Sequence, residues 1–209
     1  MRKRYNHAVF VTFEGPEGAG KSTAIAGVAD RLRALGANVT VTREPGSGPI
    51  GSRIRALLLE PTELPMPARC ELFLFLADRS QHVATLIRPA LDRGDVVLCD
   101  RFGDSTVVYQ GHARGLSIEK LKELNAFATD CLSPNLTFLL DLEPEIGLAR
   151  ISHKDRLDSE SNEFHRAVRE GFLKEASADP GRWFVVDATR DPQSIIEACT
   201  AEILRRLRT

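Results

Sequence analysis

Eight residues near the amino terminus have the types and the spacing of a loop that binds phosphate. Residues 15–22, GPEGAGKS, match the pattern G-x-x-x-x-G-K-[ST] and lie between an apolar run at 8–13 and a helical pattern at 23–35. Glycines let backbone N–H groups converge on phosphate oxygens, and the following helix adds the positive end of its dipole. Lys21 would reach the outer phosphates, and the Ser22 hydroxyl would hold Mg²⁺. The stretch predicts a triphosphate site; the alternative is a glycine turn that caps an ordinary helix. The residues assigned to the site are Gly15, Pro16, Glu17, Gly18, Ala19, Gly20, Lys21, Ser22 and Thr23.

A second pair of charged residues follows a later apolar run. Asp100 and Arg101 come directly after VVLC at 96–99. An acidic residue at the end of a strand can help to hold the metal ion of a bound nucleotide, although it can equally cap the next turn. The guanidinium beside it would bind an anion in the crevice where open α/β sheets hold ligands. The chain lacks both an N-K-x-D motif after a later strand and a compact switch glutamine motif, so a small-molecule kinase is favoured over a GTPase switch.

Two further groups of residues could recognise an acceptor. Phe75 and Arg79 are four residues apart on a predicted helix and therefore share a face. A ring there can stack on a flat base, and a guanidinium can donate to a base carbonyl. Alternatively Phe75, and still more Phe73, packs in the hydrophobic core. The second group follows Asp100 and Arg101 and comprises Ser105, Thr106, Tyr109 and Gln110.

The composition favours one compact domain over residues 1–209, since 43% hydrophobic residues suffice for a single core. With 28 Lys plus Arg against 29 Asp plus Glu, the net charge is −1, which excludes the broad positive field of sequence-independent nucleic-acid binding. The four cysteines form no C-x-x-C pair and are expected to be reduced and mostly buried. No stretch approaches a membrane span, so the expectation is a cytoplasmic protein.

Five β-branched-rich apolar segments alternate with helical patterns. This alternation is typical of βαβ units around a parallel sheet, and the nearly continuous apolarity of 96–99 and 138–140 indicates strands covered on both faces. The predicted class is therefore doubly wound α/β. The predicted strands are 8–13, 38–42, 96–99, 136–142 and 183–186, and the predicted helices are 23–35, 51–59, 68–93, a helix from Thr106, 117–131 and 192–207. Pro61, Pro65 and Pro67 predict a loop between the second and third helices.

The most polar stretch of the chain is 150–169, which has few apolar residues before Phe164. Charged stretches usually face water, so one interpretation is a solvated helix pair. Beside a phosphate loop, however, a segment with little apolar burial could open easily and act as a lid that brings arginines to a transferring phosphoryl group.

Taken together, these motifs are similar to those of the bacterial-type thymidylate kinases over nearly the whole chain. The matching segments are FEGPEGAGKST (13–23), TREPG (42–46), IRALLLEP (54–61), ELFLFLADRSQH (71–82), VVLCDRF (96–102), DSTVVYQGHARG (104–115), DLEPEIGLARI (141–151) and DRLDSE (155–160). The resemblance implies a three-layer P-loop NTPase fold with a five-stranded parallel sheet and a short mobile lid at about 150–160. It also implies transfer of the γ-phosphoryl group of ATP to dTMP with Mg²⁺, and a homodimer.

The resemblance also implies roles for individual residues. Phe75 would stack on thymine and Arg79 would contact its O4, with Thr106 and Gln110 at the base edge. Tyr109 would lie under the deoxyribose, and Glu17 would face its 3′ side. Phosphate charge would be met by the catalytic set Lys21, Arg101, Arg150 and Arg156, and the metal by Ser22 and Asp100. The predicted acceptor site comprises Glu17, Glu44, Pro45, Arg55, Phe75, Arg79, Arg101, Ser105, Thr106, Tyr109 and Gln110.

Two departures from the family pattern affect these assignments. Ser47-Gly48-Pro49 replaces the usual residues after TREPG, and the lid between Ile151 and Asp155 is short, with only His153 and Lys154 besides Ser152. The basic residue that reaches the γ-phosphate therefore stays undetermined. Two other hypotheses also stay open: a kinase of the same fold that prefers thymidine or another acceptor, and a regulator that uses ATP occupancy to move residues 150–169.

Overall fold

The computed structural model describes residues 8–60, 65–153 and 155–207. Pro61, which the sequence places in a loop, and Lys154, a predicted lid residue, lie outside these ranges. Within them the strands are β1 (Val9–Glu14), β2 (Val39–Arg43), β3 (Val96–Asp100), β4 (Leu136–Asp141) and β5 (Trp183–Asp187). Each predicted strand is present, with ends that differ by one residue.

The five strands form one parallel sheet in the order β2-β3-β1-β4-β5. The central strand β1 pairs with β3 and β4, and Phe13 lies opposite both Asp100 and Phe138. The carboxyl ends of β1 and β3 therefore meet at one edge of the sheet. Because the phosphate loop follows β1 and Asp100 ends β3, the register brings these two motifs together.

The sheet is covered by helices on both faces, as the apolar strands predicted. Alternate residues of β1 point to opposite faces. Val9, Val11 and Phe13 pack with the helices at Lys21–Ala34 and Pro192–Arg206, whereas Phe10 packs with Ile87 and Phe102 on the other face. The same alternation sends Glu14 to the second face, where it is fully buried. The doubly wound α/β class is confirmed.

The helices begin and end as follows: α1 (Lys21–Ala34), α2 (Gly48–Leu59), α3 (Ala68–His82), α4 (Arg88–Asp92), α5 (Gly103–Thr106), α6 (Ile118–Thr129), α7 (Pro144–Leu148), α8 (Asn162–Ala178) and α9 (Pro192–Arg206). Two π-helical segments, Val83–Ile87 and Val107–Ala113, join α3 to α4 and extend α5. Among the described residues, no helix is both long and apolar enough to cross a membrane.

Several sequence predictions needed correction. The single helix predicted at 68–93 is interrupted by the first π-helical segment, because Pro89 has no N–H to donate and the α-helical ladder cannot pass through it unbroken. The helix expected from Thr106 begins earlier, at Gly103. Ser117 does cap α6, since its hydroxyl accepts from Lys120 N at 3.2 Å. All four cysteines are free, but Cys70 and Cys131 are exposed, so the expectation of mostly buried thiols holds only for Cys99 and Cys199.

The polar stretch 150–169 is neither a helix pair nor wholly irregular. Turns and bends span the described residues from Arg150 to Ser161, and α8 then begins at Asn162. Helix α8 buries Phe164, Val168 and Phe172 against the second face of the sheet. Only the first half of the stretch therefore has the low apolar burial that the lid hypothesis requires.

Candidate active site

The phosphate-loop sequence forms a tight connection between β1 and α1. Gly15, Gly18 and Gly20 all have positive φ, and a Cβ on Gly18 would overlap the backbone carbonyl of Gly147. Only glycine fits this conformation and this close approach. Helix α1 begins at Lys21, two residues earlier than predicted. The N–H groups of Lys21, Ser22 and Thr23 therefore lie in its first turn, where the helix itself supplies no acceptor for them.

Lys21 and Ser22 are fixed by short contacts within this loop. The Lys21 ammonium donates to the carbonyl oxygens of Gly15 (3.0 Å) and Pro16 (2.9 Å). Burial and, after it, the charge of Arg101 lower the pKa of Lys21, while Glu17 and Asp100 oppose the shift. The Ser22 hydroxyl donates to Asp100 Oδ2 at 3.1 Å. The lysine therefore faces the centre of the loop, and a hydroxyl and a carboxylate meet at its edge.

The oxygen pair of Ser22 and Asp100 fits what Mg²⁺ requires. This ion takes hard oxygen ligands and is usually held by one or two carboxylates together with substrate phosphates and water. A protein cage is not needed, so the absence of any cluster of three or more His, Cys, Asp or Glu ligands among the described residues does not conflict with the ion.

A large open cleft surrounds the loop and is called here the loop cleft. It is lined by the loop residues 17–24, by Asp100, Arg101 and Arg150, and by Ala188 and Arg190. Arg150 reaches the loop directly, because its guanidinium donates to Gly18 O at 3.2 Å. The sequence analysis did not predict Ala188 and Arg190 as site residues. Their position directly after β5 could have indicated them, because ligands bind at the carboxyl ends of parallel strands.

A second cavity, called here the inner cavity, adjoins the loop cleft. All residues that the sequence assigned to an acceptor line it: Glu17, Glu44, Pro45, Arg55, Phe75, Arg79, Arg101, Ser105, Thr106, Tyr109 and Gln110. Leu59, Phe102, Asp155 and Leu157 complete the wall and were not predicted. Phe75 is half-buried, whereas Phe73 is 61% exposed, so the sequence ranking that placed Phe73 in the core is wrong.

Arg101 lies where the two spaces meet, since it lines both the inner cavity and the loop cleft. Its guanidinium pairs with Glu17 at 2.7 Å, contacts Ser105 Oγ at 3.2 Å and lies over the Tyr109 ring at 5.2 Å. Its backbone is left-handed, with φ 66, a conformation that costs a non-glycine residue about 1–2 kcal/mol. The surrounding contacts therefore hold a strained backbone so that a cation faces both spaces.

Two buried glutamates near Arg101, Glu17 and Glu14, have carboxyl pKa values that are shifted in opposite directions. Burial favours a higher pKa for Glu17, but Arg101, Lys21 and the Tyr109 hydroxyl at 2.7 Å outweigh it and lower the pKa to about 2. Glu14 accepts from Phe102 N at 2.8 Å and Ser105 Oγ at 2.6 Å. For Glu14, burial and repulsion by Asp104 dominate and raise the pKa to about 7. Through these hydrogen bonds Glu14 holds the residues that follow Arg101 in position. The sequence analysis did not identify Glu14.

The raised pKa of Glu14 predicts a specific pH dependence of stability. The folded state holds this proton up to about pH 7, whereas the ordinary pKa is 4.5. The protonated carboxyl therefore contributes fully to the free energy of unfolding below pH 4.5, and this contribution is lost as the pH rises through about 7. We expect the free energy of unfolding of the wild type, minus that of Glu14→Gln, to fall across this window, by at most about 1.4 kcal/mol per pH unit.

Urea unfolding of both proteins from about pH 4 to pH 8 measures this difference. Glu17→Gln serves as the comparison, because the lowered pKa of Glu17 confines its pH dependence to the range between pH 4.5 and about 2. Its difference from the wild type should therefore stay flat from about pH 5 to pH 8. A Glu14 difference that stays constant or grows between pH 5 and pH 7 would contradict the assignment.

A buried polar network holds Arg79 against the wall of the inner cavity. Its guanidinium donates to Glu44 Oε2 (2.8 Å), Thr106 Oγ1 (2.8 Å), Asn125 Oδ1 (2.6 Å) and Phe102 O (3.0 Å). Glu44 in turn contacts His82 Nδ1 at 2.9 Å. Arg79 is thus fixed in position by four acceptors, and as a guanidinium it can present only donors to a ligand.

One predicted catalytic residue is not brought to the site. Arg156 points away from the loop cleft: its Nε donates to Leu58 O at 2.7 Å and its NH2 to Glu71 Oε2 at 2.6 Å. Arg150, by contrast, is at the loop. Of the two predicted lid arginines, Arg150 contacts the phosphate loop, whereas Arg156 pairs with the buried carboxylate of Glu71.

Comparison with known proteins gives a consistent result. The sequence model of the thymidylate kinase family matches residues 13–199. The chain is 49% identical over 210 residues to the thymidylate kinase of Desulfovibrio desulfuricans, covering 96% of this chain and 97% of that one. It is 54% identical over 183 residues to that of Pseudomonas fluorescens strain Pf0-1, covering 86% and 87%. The crystal structure of thymidylate kinase from Ehrlichia chaffeensis superposes with a TM-score of 0.78 at 30% identity, covering 97% of this chain and 100% of that one.

Proposed function

The chain belongs to the thymidylate kinase family, and from this membership we infer that it transfers the γ-phosphoryl group of ATP to dTMP, giving dTDP and ADP. The observation that supports this reaction best is the junction of the two spaces. The loop cleft and the inner cavity share Glu17, Glu44, Arg55 and Arg101 along their common wall. A donor in one space and an acceptor in the other would meet at Arg101.

We propose that ATP occupies the loop cleft with its phosphates on residues 15–23. The N–H groups of the first turn of α1 and the Lys21 ammonium supply positive charge there. To accept a phosphate oxygen, Lys21 has to exchange a carbonyl contact for it, which its flexible side chain allows. Ser22 and Asp100 would hold Mg²⁺, which would offset the negative charge of the phosphates.

We propose that dTMP occupies the inner cavity. The Phe75 ring would stack on thymine, and the fixed donors of Arg79 would face its O4. Tyr109 would lie under the deoxyribose and Glu17 at its 3′ side, while Arg55 and Arg101 would hold the acceptor phosphate. Glu44 and Pro45 would form the floor. Support comes from the fact that these side chains, spread over some ninety positions of sequence, line one cavity.

The chemistry needs charge compensation more than a base. A dTMP phosphate oxygen is already anionic at neutral pH, so no proton has to be removed before it attacks the γ-phosphorus. The new P–O bond forms as the bond to the β–γ bridging oxygen breaks, and that electron pair leaves with ADP. Lys21, Arg101 and Arg150 would stabilise the negative charge on the transferring group. The loop itself contains no arginine, so the guanidinium groups come from outside it.

We further propose that the segment at about 150–160 is a lid within a single domain formed by residues 1–209. Its first arginine already contacts the loop through Gly18 O, and the segment's described residues, 150–153 and 155–160, form turns and bends instead of regular helix. Arg156 would join the transferring group only after leaving Glu71. Limited proteolysis with and without both nucleotides tests the lid, since protection of this segment on binding is expected.

Replacing Phe75 with alanine should mainly weaken acceptor binding. Base–aromatic stacking is worth about 1–3 kcal/mol, so we expect the KM for dTMP to rise about 5- to 150-fold while kcat and the KM for ATP change little. Steady-state kinetics with varied dTMP measures this. Leu35→Ala is the matched control, because Leu35 is an apolar side chain that is exposed and lines neither the inner cavity nor the loop cleft. An unchanged KM for dTMP in Phe75→Ala would assign Phe75 to packing alone.

We propose that the protein is a homodimer that uses the exposed faces of α3 and α6. These helices pack on each other through Leu72, Leu76 and Leu121, yet Phe73 and Phe127 stay 61% and 88% exposed on the outside. Large exposed aromatic side chains on adjoining helices are typical of interaction surfaces. Sedimentation equilibrium showing a single species at the 23.1 kDa chain mass would contradict the dimer.

The proposed reaction is tested by ADP release measured with dTMP, dUMP, dCMP, UMP and thymidine as acceptors. The highest kcat/KM is expected with dTMP. Faster turnover with thymidine would favour a nucleoside kinase of the same fold. Because both substrates are metabolites of the cytoplasm, we also propose that compartment, which cell fractionation followed by the same assay can check.

A further inference from the structure

Glu71, in the first turn of α3, is a buried carboxylate with an unusual number of partners. It is completely buried and accepts from three side chains. Oε1 accepts from Gln110 Nε2 at 2.8 Å and from Arg114 Nε at 2.7 Å. Oε2 accepts from Arg114 NH2 at 3.1 Å and from Arg156 NH2 at 2.6 Å. The mechanism described above leaves this group without a role.

The charge state of Glu71 follows from these contacts. Burial alone would raise its pKa, but the hydrogen bonds from Arg114, Arg156 and Gln110 outweigh burial, and the pKa is lowered. At neutral pH Glu71 is therefore a carboxylate. An ionised carboxylate carries no proton and can only accept hydrogen bonds.

This property fixes the orientation of the Gln110 side chain. A glutamine amide has a donating NH2 end and an accepting oxygen, and the two ends are normally hard to tell apart. Beside a carboxylate only the NH2 end is stable, because the oxygen would be repelled. Gln110 is 1% exposed and lines the inner cavity. Across the described part of the chain, its oxygen Oε1 accepts no hydrogen bond.

We propose that Glu71 is a positioning residue that sets the base selectivity of the acceptor site, by locking the Gln110 amide with its oxygen toward the base. This inference rests on the proposed function and deepens it. A carbonyl oxygen in that position matches the N3–H donor of thymine. It opposes cytosine, whose N3 is an acceptor, and two facing acceptors leave both unsatisfied.

Arg79 complements this arrangement on the neighbouring edge of the base. It can only donate, and it is held by Glu44, Thr106, Asn125 and Phe102. A donor suits the O4 of thymine and opposes the 4-amino group of cytosine. Glu71 acts on the base through Gln110, and Glu44 acts on it through Arg79. Two buried carboxylates would therefore position the two side chains that select thymine over cytosine.

The test compares dTMP with dCMP in Glu71 variants. In Glu71→Gln the neutral amide can donate, so Gln110 is free to turn its NH2 group toward the base. We expect the ratio of kcat/KM for dTMP to that for dCMP to fall about 10-fold or more, the size of one mispaired hydrogen bond. Glu71→Asp keeps the charge that Arg114 and Arg156 require, so it protects folding, and it shortens the reach to Gln110. A smaller fall in the same ratio is expected there.

The pathway through Gln110 is tested by a double-mutant cycle. In a Gln110→Ala background, Glu71→Gln should leave the dTMP to dCMP ratio where Gln110→Ala alone has placed it. The matched control is Glu175→Gln. Glu175 is a mostly buried carboxylate that contacts the same π-helical segment, through His112 at 3.0 Å, and its ion pairs among the described residues are with His112 and Lys122, not with Gln110. Its ratio should equal that of the wild type.

Calorimetry measures the ratio of the affinities for dTMP and dCMP without any transfer step. It therefore tests the role of Glu71 separately from the proposed reaction. Absence of dTMP phosphorylation would contradict the proposed function. The role of Glu71 is overturned if folded Glu71→Gln or Glu71→Asp keeps the wild-type ratio, or if the variants weaken both nucleotides equally, as a purely structural role would require. A ratio that falls in Glu71→Gln, but falls no further when the same substitution is added to Gln110→Ala, supports it.

Discussion

Lys21→Ala is expected to lower kcat about 100- to 1,000-fold while leaving the fold nearly intact. The Lys21 ammonium is buried at the centre of the phosphate loop and its only hydrogen bonds among the described residues go to two loop carbonyls, Gly15 O and Pro16 O. Removing it takes away positive charge aimed at the transferring group, and one such contribution is typically worth about 2.7–4 kcal/mol. Little packing is lost, since the side chain fills no apolar core.

Steady-state kinetics and thermal unfolding of the same preparation measure both effects. Lys174→Ala is the control, because Lys174 is exposed on α8 and lines neither the loop cleft nor the inner cavity, so it should change neither quantity appreciably. A loss of thermal stability in Lys21→Ala that matches the loss of activity would show instead that Lys21 holds the loop together.

The second large effect is expected at Arg101. Its guanidinium lines both spaces and pairs with Glu17, so its removal affects acceptor binding and the transferring charge together. Arginines in this role contribute about 1,000-fold or more to phosphoryl transfer. We expect Arg101→Ala to lower kcat/KM for dTMP by at least about that factor, with a smaller change in the KM for ATP.

Two comparisons separate the chemistry of Arg101 from its strained backbone. Arg101→Gly should be as inactive as Arg101→Ala but more stable by about 1 kcal/mol, because glycine accepts φ 66 without the steric cost. Arg31→Ala, at a surface arginine paired with Glu197, should keep wild-type kinetics. An Arg101→Ala protein within about 10-fold of the wild type would remove Arg101 from the catalytic set.

The parts of the site that depend on contiguous sequence could be predicted. The loop glycines, Lys21 and Ser22 form one unbroken motif, and Asp100 ends a strand whose apolar run is unmistakable. The parallel register of β1 and β3 then brings them together. The residues implied by family resemblance, from Glu44 to Gln110, line one cavity, and their roles there remain predictions.

What the sequence could not show are pairings between distant charged residues. Glu14 and Glu71 look like ordinary acidic residues, and their burial follows from partners that are 39 to 91 positions away. Arg156 carries the same charge as Arg150, but only tertiary structure shows that Glu71 captures it. Phe73 and Phe75 are equally apolar, and the packing of Leu72 and Leu76 decides which faces of α3 are covered. The π-helical segments have no simple period in the sequence.

The proposed reaction passes one phosphoryl group from a donor in the loop cleft to an acceptor in the inner cavity. The most direct measurement follows the radiolabelled γ-phosphate of ATP in the presence of dTMP, with separation of the products by chromatography. We expect the label to appear in dTDP, in equal amount to the ADP formed, and both products to fall together in Lys21→Ala and in Arg101→Ala. Label released as inorganic phosphate, or ADP formation that does not depend on dTMP, would contradict it.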